Sequence, residues 1–354
     1  MPDCLPSARL NALTLEKNIP VSVTIELTRR CPLRCRHCYL PETAGRARPG
    51  RELSFAQWEK ILRQLARAGG IYLVFTGGEP LLRPDLPRLC RLAKALNFDV
   101  RIFSTGLGIT PARAREIRLA GVSAFEISFY GRPEVHDCIT GRKGSFAGSL
   151  AAVRLLKAAG VTVKIKVPLM NLNLGQAAFM KRLAGKEGCG ISFDPVIAPA
   201  NDGDRAALKY RLSGPELRKA LAYLSPSGAE AGPAVPVPGG SGVWDFLCGA
   251  GRNVCAVDPA GTLFPCLQLP VKLGNLTRQK FSALWKGSAW LKKWRRAGIK
   301  DLKICAACPD IEFCSRCPGI SLLEEGDAFA PNKPACEMAA ILRKAQGGVR
   351  GFTY

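Results

Sequence analysis

Between residue 21 and about residue 225, six apolar runs of strand length alternate with amphipathic runs of helix length, in a series of six βα-type repeats. No other feature of the chain limits its fold so strongly. Strand-like segments lie at 21–27 (VSVTIEL), 71–75, 99–103, 124–129, 161–167 and 191–193. Their β-branched residues and period-two alternation mark them as strands. Helix-like segments lie between them, at 54–67, 86–96, 111–121, 145–160 and 176–186. Ser54 and Gln57 form a capping signal, Pro111 suits a first helical turn, and Gly69 and Gly160 mark stops. Repeated βα units imply an α/β fold with parallel strands and right-handed crossovers. Six units fall short of an eight-fold barrel, so the expectation is an open barrel or a doubly wound sheet.

The pattern breaks at 225–242 (SPSGAEAGPAVPVPGGSG), which reads as a linker. Beyond it lie eight of the 15 cysteines, and a small cysteine-dense region usually owes its fold to bound metal. The expected division is an N-terminal extension at 1–20, a βα domain at 21–224, a Pro/Gly linker at 225–243, a cysteine-rich domain at 244–345 and a tail at 346–354. The start lacks a basic segment followed by an apolar run, and no apolar run nears the ~20 residues of a membrane helix. A cytoplasmic location with no membrane partner is therefore expected. An odd cysteine count in a reducing compartment argues for metal ligation or catalysis over a disulfide scaffold. The net charge of +23 fits an acidic partner (nucleic acid, an acidic peptide or an anionic small molecule) or simple solubility.

Three constellations carry chemistry. Cys31, Cys35 and Cys38 sit on one loop directly after the first strand, the end at which parallel βα folds bind ligands. They can hold three corners of a cubane cluster and leave the fourth iron open; the alternative is zinc, with His37 as a fourth ligand. After the second strand comes Thr76-Gly77-Gly78-Glu79-Pro80, where two glycines allow close backbone approach to a ligand and a carboxylate can accept from an ammonium group. The third set is Cys248, Cys255, Cys266, Cys305, Cys308, Cys314, Cys317 and Cys336. Its spacing alone admits zinc or two Cys4 iron–sulfur clusters.

The Cys-x3-Cys-x2-Cys loop and the Gly77-Gly78-Glu79 turn together resemble the radical S-adenosylmethionine (SAM) enzymes over residues 21–200. The resemblance implies a partial (β/α)6 barrel. It implies a [4Fe-4S] cluster on Cys31, Cys35 and Cys38, with SAM held by Gly77, Gly78 and Glu79. Weaker matches add Ser104, within Ser-Thr-Gly where relatives show Thr-Asn-Gly, and Ser128 at the end of the fourth strand. Thr140 stands where relatives often have an Arg near the SAM carboxylate; Arg142, Lys164 or Lys166 could supply that charge, and Lys166, at a strand end, is the expected one. Residues 244–345 resemble the SPASM extension of these enzymes, through Cys248-x12-Gly261-x4-Cys266 and the later cysteines. Cys314-x2-Cys317 is one residue shorter than the usual spacing. By that pattern Cys248, Cys255, Cys266 and Cys317 take auxiliary cluster one, and Cys305, Cys308, Cys314 and Cys336 auxiliary cluster two. Three [4Fe-4S] clusters and SAM are thus the implied cofactors.

Enzymes with this extension mostly modify peptides or proteins, and others act on tetrapyrroles. Leu267 replaces the Asp that formylglycine-forming relatives carry after the Gly-x4-Cys cysteine. A peptide or protein substrate is expected, with a separate leader-recognition protein and a flavodoxin or ferredoxin as electron donor. A tetrapyrrole or other small molecule is the second reading. A non-enzymatic metal or nucleic-acid-binding protein is the third; it leaves the Gly-Gly-Glu turn without a role. Of the other cysteines, Cys90 falls in a helical pattern and is expected to be buried, while Cys4, Cys138 and Cys189 are taken as inert thiols.

Overall fold

The computed structural model of the protein describes residues 6–41, 52–224 and 248–346. Helix α1 (Pro6–Lys17) precedes strand β1 (Ser22–Glu26). Then follow α2 (Phe55–Arg67), β2 (Tyr72–Thr76), α3 (Leu86–Ala95), β3 (Asp99–Ser104), α4 (Pro111–Leu119) and β4 (Ala124–Ser128). Next come α5 (Pro133–Thr140), α6 (Ser145–Ala158), β5 (Val163–Pro168), α7 (Ala177–Glu187), β6 (Gly190–Asp194) and α8 (Gly214–Leu221). The C-terminal part holds β7 (Val254–Val257), β8 (Thr262–Phe264), β9 (Gly274–Asn275), α9 (Phe281–Gly287), α10 (Ala289–Arg296), α11 (Pro318–Glu325) and α12 (Lys333–Gln346). No helix among the described residues is long and apolar enough to cross a membrane.

Strands β1 to β6 pair in parallel and in sequence order, giving the partial βα barrel. Its two faces differ in chemistry because side chains alternate along each strand. Ile25, Phe75, Ile102 and Phe125 stand in register and are wholly buried against the helices. Helix α2 shows how this layer forms: the Ser54–Gln57 capping box starts it, and Trp58, Ile61, Leu62 and Leu65 bury one stripe. Each such side chain contributes about 1.5–3 kcal/mol on burial. The opposite face is polar at its C-terminal half. There the register pairs Glu26 with Thr76, Phe103 with Glu126, Ser128 with Lys166, and Pro168 with Asp194.

The C-terminal region is not a separate sheet. Strand β7 pairs in parallel with β1, Val23 opposite Cys255, and β8 and β9 extend the same sheet antiparallel. The order among the described residues is β6-β5-β4-β3-β2-β1-β7-β8-β9. Cys255, Leu263, Phe281, Trp285 and Leu291 join the same apolar cluster as the barrel. The cysteine density alone points to metal as the source of this region's fold; the structure adds a hydrophobic core continuous with the barrel. The expected extension at 1–20 includes α1, tied to the C-terminal part where Asn253 Nδ2 donates to Asn11 at 2.9 Å and Trp285 Nε1 donates to the Asn18 carbonyl at 2.8 Å. The expected linker at 225–243 and Cys4 lie outside the described residues.

Candidate active site

The loop bearing Cys31, Cys35 and Cys38 leaves the C-terminal end of β1 and is held from two sides. Arg34 and Arg36 donate their backbone N–H groups to the Thr140 and Ile139 carbonyls at 2.9 and 3.0 Å, at the end of α5. On the other side the segment 28–30 meets the Gly-Gly-Glu turn. Gly78 N donates to the Thr28 carbonyl at 2.7 Å, and Glu79 N to the Arg30 carbonyl at 2.8 Å. A Cβ on Gly77 would come within 2.2 Å of the Thr28 oxygen, and one on Gly78 within 2.3 Å of the Arg30 oxygen. Gly77 also has φ +136°, a conformation that favours glycine. The close approach expected towards a ligand is therefore, first, an approach to the segment that leads into Cys31.

Glu79 is wholly buried. One carboxylate oxygen accepts from Ser104 Oγ at 2.7 Å and Leu81 N at 3.0 Å; the other accepts from Thr105 N at 2.8 Å and from the Thr105 hydroxyl. Burial pushes its pKa up, and these bonds oppose the rise. A carboxylate has about four acceptor positions, and four protein donors fill them here. Glu79 thus ties the turn to the end of β3, and Ser104 acts in that tie rather than lining an open surface. Gly106 N donates back to Ser104 Oγ at 2.8 Å.

Ser128 and Lys166 face the polar side of the sheet in register. Ser128 hydrogen-bonds with the Tyr130 hydroxyl, which also bonds with the Cys35 thiol; burial first, then the nearby thiols, raise the Tyr130 pKa. Lys166 has a carboxylate partner, Glu126, at 3.4 Å, and its ammonium lies 3.9 Å from the Phe103 ring centre. His37 packs edge-on to Tyr130 with ring centres 5.0 Å apart. His136 is buried among Phe129, Tyr130 and Phe146, with neither ring nitrogen hydrogen-bonded. Burial lowers both histidines to about 4.

Glu26 escaped the sequence reading, since it is one acidic residue inside a strand pattern. It is buried, accepts from the Tyr39 hydroxyl at 2.7 Å, and is pushed up to about 7 by burial, with the Tyr39 bond and Arg29 opposing. It lines a cavity of about 150 Å³ between β1 and the β7–β8 hairpin, with Arg29, Asp258, Leu267 and Lys272. Arg29 and Asp258 form an ion pair at 3.5 Å. The adjacency of Tyr39 to Cys38 is the one local signal that could have drawn attention to this corner.

All fourteen described cysteines are thiols rather than disulfides. The eight C-terminal ones fall into two groups by mutual electrostatic influence. Cys266 is raised to about 11 by burial and then by Cys248 and Cys317; Cys255, also raised by burial, feels Cys266. Cys314 is raised to about 11 by burial and then by Cys336, Cys305 and Cys308. Arg316, which sequence reasoning did not single out, serves both groups. Its Nε donates to the Ala330 carbonyl at 3.1 Å and its Nη2 to those of Ala328 and Ala330, while Nη1 is buried with no hydrogen-bond partner. Burial lowers its pKa, and the thiols of Cys305, Cys314, Cys317 and Cys248 oppose that. A cationic N–H set among thiols fits anionic iron–sulfur clusters, whose sulfurs accept hydrogen bonds. Among the described residues no group of three or more His, Cys, Asp or Glu is set to hold a single metal ion. Thiolates on the corners of a cubane stand farther apart than the ligands of one ion. Cys90 is buried in α3 and raised to about 12, which makes it inert.

Residues 25–183 match the radical SAM superfamily, and residues 248–309 match the SPASM iron–sulfur cluster-binding domain. The chain belongs to the radical SAM enzymes with a C-terminal SPASM domain, which bind SAM and iron–sulfur clusters. It is 30% identical to the PqqA peptide cyclase of Streptomyces rochei, over 94% of this chain and 96% of that protein. It is 26% identical to the AdoMet-dependent heme synthase of Methanosarcina barkeri (strain Fusaro / DSM 804), over 82% of this chain and 91% of that protein. Its fold is similar to Streptococcus suis SuiB bound to S-adenosylmethionine, with a TM-score of 0.71, 16% identity, and 94% of this chain and 81% of that one covered.

Proposed function

We propose that this radical SAM enzyme modifies a ribosomally made peptide or protein. The observation that carries the reading is the end-to-end likeness to a peptide cyclase at 30% identity. Cys31, Cys35 and Cys38 hold the SAM-binding cluster, and the two C-terminal thiol groups hold auxiliary clusters, for three in all. When bound, a [4Fe-4S] cluster there would supply the electron for reductive cleavage of SAM to methionine and a 5′-deoxyadenosyl radical, the species that would abstract hydrogen from the substrate. This chain's residues supply placement. Glu79 fixes the turn, whose main chain would hold the SAM amine, and Ser128 and Lys166 line the polar face. The reacting substrate group enters the cavity at Glu26. Leu267 there cannot accept a proton, whereas Glu26, pushed up to about 7, can hold or release one near neutral pH.

The test uses the anaerobically reconstituted chain with SAM and dithionite. Short peptides encoded beside its gene are supplied one at a time and read by mass spectrometry. The expected result is 5′-deoxyadenosine together with a mass change in one peptide, both lost in Cys35→Ala. Stimulation by an iron porphyrin precursor, with every peptide unchanged, would favour the small-molecule reading raised by the heme synthase relative. Iron near background, or 5′-deoxyadenosine still formed by Cys35→Ala, overturns the cluster assignment.

A further inference from the structure

The cavity of about 150 Å³ beside Glu26 holds acceptors that this chain leaves without donors. A space of that size takes one small organic group, about as large as benzene. Much of its wall is apolar, with Leu40 from the cysteine loop, Val257 from β7 and Phe264 from β8. Into it β1 brings Glu26, 4% exposed, one of whose oxygens accepts from the Tyr39 hydroxyl at 2.7 Å. Asn201, on the loop after β6, is anchored beside it: its backbone N–H donates to the Tyr39 carbonyl at 2.9 Å. The Asn201 Nδ2 donates to the Leu267 carbonyl at 3.4 Å, which orients the amide. Its Oδ1 is then buried with no hydrogen-bond partner among the described residues. The charges are one-sided as well. The ionisable groups of the lining are Glu26, Asp202 and Asp258 against Arg29 and Lys272. Asp258 is paired with Arg29 at 3.5 Å, and Asp202 and Lys272 are exposed charges of opposite sign. That leaves the Glu26 carboxylate in excess. Burial pushes it up to about 7, the response of a carboxylate short of positive charge.

We propose that this cavity binds a primary ammonium group on a short apolar stem, the chemistry of a lysine side chain of the substrate. The inference rests on the proposed function, which sends the reacting substrate group to this cavity, and it adds the chemical class of that group. An ammonium group has three N–H donors and no acceptor. Within so small a space they can be shared between the Glu26 carboxylate and Asn201 Oδ1, and the added charge balances the lining. The methylene stem lies along the apolar wall, as such stems do on apolar surfaces elsewhere. A carboxylate ligand would stand against Glu26 and receive nothing from Asn201 Oδ1. A neutral hydroxyl could donate to Asn201 and would leave the Glu26 charge uncompensated.

The test measures Kd for three probes of one size, n-butylammonium, 1-butanol and butyrate, by ligand line broadening in NMR on the reconstituted holoenzyme. The parent should bind n-butylammonium about tenfold or more tightly than either of the others. Glu26→Gln, which keeps the volume and removes the charge, should weaken n-butylammonium about tenfold or more and move 1-butanol by no more than about twofold. Equal n-butylammonium Kd values for Glu26→Gln and the parent overturn the proposal. So does 1-butanol or butyrate binding the parent as tightly as n-butylammonium, which marks a site for a neutral or anionic group. Should Glu26→Gln lose its iron, Asn201→Leu is read in the same way, with the same loss expected for n-butylammonium. If the parent cleaves SAM and modifies a peptide but binds no n-butylammonium, only the cavity assignment fails. If it cleaves no SAM yet binds n-butylammonium through Glu26, the enzymatic reading fails and the ammonium site stands.

Discussion

Replacing Gly78 with Ala tests whether the Gly-Gly-Glu turn acts first as a joint between two loops. The new Cβ would lie 2.3 Å from the Arg30 carbonyl oxygen and 2.6 Å from that of Arg29, where ordinary contact begins at 3.4 Å. Both neighbours are backbone, so no flexible side chain can yield, and the segments must separate by about 1 Å. That breaks the Gly78–Thr28 and Glu79–Arg30 bonds, at 2.7 and 2.8 Å. Each is worth about 1 kcal/mol net, and overpacking adds about 1–3 kcal/mol. The expected loss is therefore about 3–5 kcal/mol, a fall of roughly 4–7 °C in the unfolding midpoint of a chain this long. Because segment 28–30 leads into Cys31, SAM affinity should fall as well, by equilibrium dialysis against the reconstituted protein. Gly175→Ala is the control: nothing lies within 4 Å of its Cβ position and its φ is ordinary, so it should stay within about 0.5 kcal/mol. Equal midpoints and equal SAM binding for Gly78→Ala and the parent would refute the joint.

Glu26→Gln should change how stability depends on pH. The Glu26 carboxyl is raised to about 7 from 4.5 by burial, so it favours the folded state fully below pH 4.5 and loses that contribution as pH rises through 7. The span is worth about 3 kcal/mol. The two histidines lowered to about 4 act in the opposite sense, so the quantity to read is the difference between variant and parent midpoints from pH 4 to 8. Parallel profiles would show that Glu26 is not raised. Arg316→Gln removes the cation shared by the two thiol groups, and should lower an auxiliary-cluster reduction potential by on the order of 50–100 mV, with Arg316→Lys in between. Unchanged potentials at full iron content would mean that the guanidinium serves only the Ala328 and Ala330 carbonyls.

Each feature legible in the sequence is local. The Ser54 capping box, the strand alternation, the stop at Gly160 and the cysteine spacings all depend on residues a few positions apart, where backbone preference and side-chain period act directly. Strands β1 to β6 accordingly fall within a residue or two of the segments read from the pattern. Elements without a strong apolar period escaped, among them α1 and α5.

By itself, then, the sequence determined the βα architecture, the position of three thiols at a strand end and the density of thiols near the C-terminus. Tertiary structure decided which of these meet. It set β7 beside β1, turned Gly77 and Gly78 onto segment 28–30, filled Glu79 with protein donors, and brought Arg316 among thiols from two groups. The reason is physical. Most of those contacts join residues from about ten to more than two hundred positions apart, and what selects them is shared burial and the satisfaction of polar groups in the closed core.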